Sequence, residues 1–337
     1  MAIHQRRRFQ LLWPVALCLA TCAFSSGCGG RKPVVHRVGI LSGLDFFAAT
    51  TDGFKAKMAE LGYVEGTNIL YDVQKTNFDP AAEERILKQF VADRVDLILT
   101  FPTEVSLAAK AVTQGTGIPV VFSNAYVEGV GLIDSVRRPG GNITGVRYPG
   151  PDLALKRFDI MRELAPQAKR MWVPYQRGYP IVASQLDVLH PAAASVGVTL
   201  EEAPADNAAE VQALLEQRAQ SSDIGMDAIF IIAEPLCVTP GVFDVIGRFA
   251  AEHRLPVGGA AMISAGGHES LFGVSTESLA VGRQAAVLAD KVLRGIPAGT
   301  IPVVSAEPYF QLNYRAIKKL GLTVSDGLLS RANEVIR

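Results

Sequence analysis

The feature that most constrains this chain is an alternation of short apolar runs with amphipathic ones, played through twice. In the first half Val38-Gly39-Ile40-Leu41 reads as a strand. Phe54, Met58 and Leu61 then fall at i, i+4 and i+7, a helical stripe that stops at Gly62. Ile69, Tyr71 and Val73 alternate as a strand does. Asp79-Pro80 supplies an N-cap and first-turn proline for a helix carrying Ile86, Leu87, Phe90 and Val91. A buried strand over 95–100, a helix over 104–114 and a strand over 119–122 follow. The second half repeats the order: a strand over 170–173, a helix bearing Leu186, Leu189, Ala193 and Val196, and a strand over 198–200. Next come a helix opened by the capping-box spacing of Asn207 and Glu210, a strand over 227–232, a helix opened at Thr239-Pro240, and Leu255-Pro256-Val257.

Strands separated by helices pair in parallel, because a helical crossover returns the chain to the edge where the last strand began. The expected class is therefore α/β, with two doubly wound parallel-sheet lobes. A length of 337 residues fits two such bodies. An apolar stretch over 271–274, a long helix over 277–294, a strand over 302–304 and a C-terminal segment come after both halves. The chain is thus expected to cross between lobes more than once.

The first residues read differently. Arg6-Arg7-Arg8 precedes an uncharged, mostly apolar run from Leu11 to Phe24, then Ser25-Ser26-Gly27-Cys28. A positive head, an apolar run too short to span a bilayer and small residues after it describe a signal peptide over 1–27. Ser-Ser-Gly-Cys-Gly-Gly resembles a bacterial lipobox, which makes Cys28 the expected lipid-modified N-terminus and 28–36 a tether. Leu19-Ala20-Thr21-Cys22 is the alternative, and Sec and twin-arginine export both remain open. Once Cys18 and Cys22 leave with the signal, Cys237 has no disulfide partner except a lipidated Cys28, and it reads as a small buried hydrophobe. The protein is expected to be extracytoplasmic.

Composition excludes several functions. Lys+Arg and Asp+Glu balance at 33 each, against binding driven by phosphate neutralisation, and 7% aromatic residues leave little for base stacking. No nucleic-acid partner is expected. His36, His190, His253 and His268 are scattered without metal-ligand spacing, and neither a Gly-x-Ser-x-Gly elbow nor a phosphate loop is present. No catalytic residue, metal or cofactor is expected.

Ligands of open parallel sheets gather beyond the carboxyl ends of the strands, where helices begin. In the first half those loops present Ser42, Gly43 and Asp45, then Pro102 and Thr103, then Ser123 and Asn124. In the second they present Tyr175 and Gln176, then Glu234 and Pro235, then Ala260. If the lobes face each other these loops line one cleft. A ligand carboxylate would take N–H bonds behind Ser42-Gly43 and Thr103. Glu234 or Asp45 would meet an ammonium, and Tyr175 or Phe101 would cover an apolar side chain. Glu104 and Arg177 read as solvated loop charges.

Several segments taken together carry a family likeness: Gly62-Tyr63-Val64-Glu65-Gly66-Thr67-Asn68-Ile69, Val95-Asp96-Leu97-Ile98, and above all Arg138-Pro139-Gly140-Gly141-Asn142-Ile143-Thr144-Gly145-Val146 followed by Lys156-Arg157. Arg254-Leu255-Pro256, Ala265-Gly266-Gly267, Leu320-Gly321-Leu322-Thr323 and 331–336 complete it. The chain resembles ABC transporter substrate-binding proteins of the tryptophan/aromatic amino-acid-binding type. That resemblance implies a class I periplasmic-binding fold with three interlobe crossings, a small ligand held between the lobes, and delivery to an ABC permease. The ligand is expected to be small and polar, an amino acid or related compound, and the protein a monomer. By the same analogy lobe one spans 37–147 plus 276–303, and lobe two spans 148–275 plus 304–337. Where relatives carry Asn-Pro and Gly-Thr-Pro turns, this chain has Pro174-Tyr175-Gln176-Arg177 and Phe101-Pro102-Thr103-Glu104, both at ligand loops. A sensor feeding a membrane kinase and an enzyme on the same fold are the rival functions. The first would sit beside a kinase gene, and the second would need a base next to a nucleophile. Replacing Cys28 with Ala is expected to release the mature protein from membranes on fractionation. Unchanged retention would contradict lipidation there.

Overall fold

The computed structural model describes residues 35–43, 48–77 and 79–337. The expected signal peptide, Cys22, Cys28 and Asp45 lie outside them. The chain opens with β1 (His36–Ser42), α1 (Ala48–Glu60), β2 (Ile69–Lys75), α2 (Pro80–Ala92), β3 (Leu97–Phe101), α3 (Thr103–Thr113), β4 (Val120–Ala125) and β5 (Ile143–Arg147). It then crosses to a second body: α4 (Gly150–Leu164), β6 (Arg170–Gln176), α5 (Val182–Ser195), β7 (Thr199–Ala205), α6 (Ala208–Ala219) and β8 (Ala228–Ile231). That body continues through α7 (Pro235–Val238), α8 (Pro240–His253), β9 (Val257–Gly259), the small hairpin β10 (Ser264–Ala265) and β11 (His268–Glu269), and β12 (Phe272–Thr276). The chain returns for α9 (Ser278–Leu293) and β13 (Val304–Ser305). It crosses a third time into β14 (Pro308–Asn313), α10 (Tyr314–Lys319), α11 (Asp326–Arg331) and β15 (Glu334–Ile336).

The two sheets run β13-β5-β4-β3-β1-β2 and β15-β14-β12-β9-β8-β6-β7. Each has its first strand inside and its second at the edge, the doubly wound order that creates a switch point beside β1 and β6. Local chemistry starts the helices as expected. The Asp79 carboxylate accepts from the N–H groups of Ala81 and Ala82 at 3.0 and 3.3 Å, and Asn207 accepts from Glu210 N at 3.0 Å. In the first lobe one sheet face buries Val38, Ile40, Leu97 and Leu99 against α1 and α9. The other buries Ile98, Val120 and Phe122 among α2 and α3. The second lobe does the same, with Phe158, Phe230 and Phe272 on one face and Trp172, Ile229 and Phe243 on the other.

One difference from the sequence expectation has a clear physical cause. The second sheet is not wholly parallel: β14 pairs antiparallel with β12, and β15 runs alongside β14. Thr276 at the end of β12 faces Pro308 at the start of β14. The third crossing therefore arrives at the carboxyl edge, and β14 has to run away from it. In addition β13 pairs with β5, so the first sheet holds Val304 and Ser305, past the boundary expected at 303. The short α7 and the β10–β11 hairpin were not anticipated.

The helix that returns after the second crossing is fixed by close approach. A Cβ on Gly53 would stand 2.0 Å from the Leu279 carbonyl oxygen, and one on Gly282 the same distance from that of Thr50. Helices α1 and α9 thus meet backbone to backbone, which only glycine permits. Gly282→Val is expected to lower unfolding stability by about 3 kcal/mol through overpacking. An unchanged urea midpoint would contradict this.

Candidate functional site

The carboxyl edge of the first sheet is stitched loop to loop. Gly43 N donates to Phe101 O at 2.9 Å and Thr76 N to Ser42 O at 3.1 Å. Pro102 precedes α3, and its carbonyl accepts from the Ser106 hydroxyl at 2.6 Å. The Thr103 hydroxyl accepts from Tyr126 N at 2.9 Å, which pins the end of β4 to the start of α3. Asn124 forms a bulge between Ser123 and Ala125 with φ 52°, and its Oδ1 accepts from Thr276 Oγ1 at 2.7 Å. Asn124 thus ties the first lobe to the second crossing. Ser123 is buried on the same sheet, and its hydroxyl has no partner among the described residues.

On the second edge the Glu234 carboxylate caps α7. Oε1 accepts from Cys237 N at 2.7 Å, and Oε2 accepts from Leu236 N at 2.6 Å and Gln176 N at 3.2 Å. Pro235 fills the first helical position, where no N–H is required. Burial still pushes the Glu234 carboxyl up from its ordinary value, against the pull of those N–H groups. Ala260 donates to Ile231 O at 2.9 Å and packs into the apolar core. Tyr175, expected at the gap, turns sideways: its hydroxyl donates to Glu202 on β7 at 2.6 Å. The ring that reaches the other lobe is Tyr179, four residues on.

Tyr179 OH donates to Glu104 Oε1 at 2.7 Å, joining the loop after β6 to the loop after β3. A second bridge links Ser184 on α5 with Tyr126 beyond β4, Oγ to OH at 2.9 Å. Burial first, then the charges of Glu104 and Glu234, push the Tyr179 hydroxyl well above its usual range. Tyr179 is therefore a neutral donor set between carboxylates of both lobes. Among the described residues Glu104 Oε2 is buried without a partner. Glu83 stands behind it on α2, holding the Thr76 hydroxyl at 3.1 Å, with its carboxyl pushed up by burial and then by Glu104 and Asp79. The loops of Ser42, Thr103, Gln176 and Glu234 converge. The bridges made by Tyr179 with Glu104 and by Tyr126 with Ser184 do not follow from the sequence reading. The available signal was an aromatic residue after Gly178, in the loop leading into α5.

A family model described as ABC transporter substrate binding protein matches residues 39–336. The chain belongs to that family. An ABC transporter substrate-binding protein is an extracytoplasmic carrier that takes a small molecule to a membrane permease. A tyrosine-binding protein of Clostridioides difficile is 29% identical over 258 residues, covering 76% of this chain and 71% of that protein. Two solved structures share the fold at a TM-score of 0.75. One is a conserved domain protein from Vibrio cholerae (24% identity, 89% of this chain, 99% of that one). The other is an ABC domain in complex with L-Trp from Streptococcus pneumoniae (20% identity, 90% and 100%). Among the described residues no helix is long and apolar enough to cross a membrane.

Glu83 gives this substrate-binding protein a pH signature. Burial makes its carboxyl hold a proton more tightly in the folded chain than the ordinary value of 4.5 allows, so stability falls as pH rises from there through the folded value. Gln keeps the acceptor for Thr76 and removes the charge. Glu83→Gln is expected to be more stable than wild type at neutral pH, with the advantage gone below the ordinary glutamate value. Thermal melts across pH check this; a variant less stable at pH 7 would contradict it.

Proposed function

We propose that the protein captures an aromatic amino acid between its lobes for an ABC permease, acting as a monomer tethered through Cys28. The observation that carries this reading is the bridge from Tyr179 to Glu104, with Glu104 Oε2 left as a buried acceptor. One carboxylate oxygen then holds the lobes together while the other is available to a ligand ammonium, and water exclusion strengthens that contact. Tyr179 and Tyr126 supply rings at the same gap. The tyrosine-binding relative and the L-Trp-bound neighbour support the same ligand class. Glu234 takes the part of a loop anchor here, since its carboxylate is engaged by three backbone N–H groups.

Isothermal titration with L-tryptophan, L-tyrosine and L-phenylalanine tests the reading, with L-leucine and a hexose as controls. Binding confined to the aromatic amino acids is expected. Glu104→Gln should weaken it on the order of tenfold to a hundredfold, the scale of a lost charged hydrogen bond. Tight binding of the hexose and of no amino acid would contradict the proposal.

A further inference from the structure

Arg157, on the second turn of α4, is fully buried, and among the described residues no carboxylate pairs with it. Its Nε donates to Val274 O in β12 at 2.7 Å, and its Nη2 donates to the Tyr148 hydroxyl in the first crossing. Among the described residues Nη1 is buried with no partner. A guanidinium out of water needs its remaining donors met and its charge compensated, or the fold bears a cost of several kcal/mol. The Tyr148 hydroxyl accepts from Arg157 and therefore keeps its own O–H free, and no described residue takes it. Two donors, one of them cationic, thus stand together where two of the three crossings meet.

This corner adjoins the ligand loops. The Tyr148 ring lies 6.3 Å from that of Tyr126, whose backbone N–H is the one held by Thr103. Tyr126 rests on the first residue of α4, where a Cβ on Gly150 would come within 1.9 Å of the ring. The charge of Arg157 reaches the Tyr126 hydroxyl. We propose that Arg157 Nη1 and the Tyr148 hydroxyl receive the carboxylate of the bound ligand, making Arg157 a specificity-determining residue that demands an anionic group. The proposal rests on the amino-acid reading above. With Glu104 taking the ammonium, the site would read a zwitterion by its two ends.

The test compares L-tryptophan with tryptamine, which lacks only the carboxylate, by titration calorimetry. Wild type should bind L-tryptophan about 30-fold or more tightly than tryptamine, the scale of a buried charge pair. In Arg157→Gln, shown folded by circular dichroism and a cooperative melt, that gap should collapse through loss of L-tryptophan affinity, with tryptamine within about threefold of wild type. Tyr148→Phe, a smaller change, should narrow the gap in the same direction and decides the matter if the first variant does not fold. Equal losses for both ligands would mark Arg157 as a strut between crossings and overturn the proposal. So would an undiminished gap in a folded variant, or no gap in wild type. Wild type that binds neither L-tryptophan nor L-tyrosine would instead defeat the amino-acid reading.

Discussion

Parallel pairing of the strands is what everything else in this molecule depends on. A parallel strand forces a helical return, and each return delivers a loop and a helix start to the same edge of the sheet. Two sheets built this way have two such edges. The chain crosses between the lobes at these edges: after β5, after β12 and after β13. The crossings hold the edges against one another, so Tyr179 of one lobe can lie within hydrogen-bond distance of Glu104 of the other.

The polarity of the contact between the lobes follows from that juxtaposition. Glu104 and Glu234 lie where Tyr179 enters and their charges oppose deprotonation of its hydroxyl, while Glu104 does the same to Glu83 behind it. Such a cluster persists only because each group has another use: Glu234 caps α7, Glu83 holds Thr76, and half of Glu104 holds Tyr179. The other half of Glu104 has no partner among the described residues, which is why we assign it to the ligand. At the crossings the sign reverses, because the buried cation there is Arg157.

Much of the fold was legible in the sequence, for reasons that can be named. Strands such as 95–100 read clearly because a parallel strand is buried on both faces. Asp79-Pro80 and Asn207 with Glu210 marked helix starts because capping chemistry is local. The reversal of β14 was not legible, since it depends on which edge the third crossing reaches. The most recognisable block, Pro139-Gly140-Gly141-Asn142, marks the family yet lies at the amino end of β5, away from the gap. There Gly140 and Gly141 take positive φ, and the Asn142 amide donates to Thr113 Oγ1 and Ile118 O. Which tyrosine bridges the lobes is not written in local sequence. Tyr175 sits near the end of β6 and Tyr179 in the loop just after it, and only the partners Glu202 and Glu104 tell them apart.

The most direct measurement is a crystal structure of the protein grown with L-tryptophan. Density for the amino acid between the lobes is predicted, with its ammonium on Glu104 and its ring against Tyr179 or Tyr126. A well-ordered ligand on the outer surface, with the Tyr179–Glu104 bridge intact over an interlobe space packed with side chains, would contradict the account.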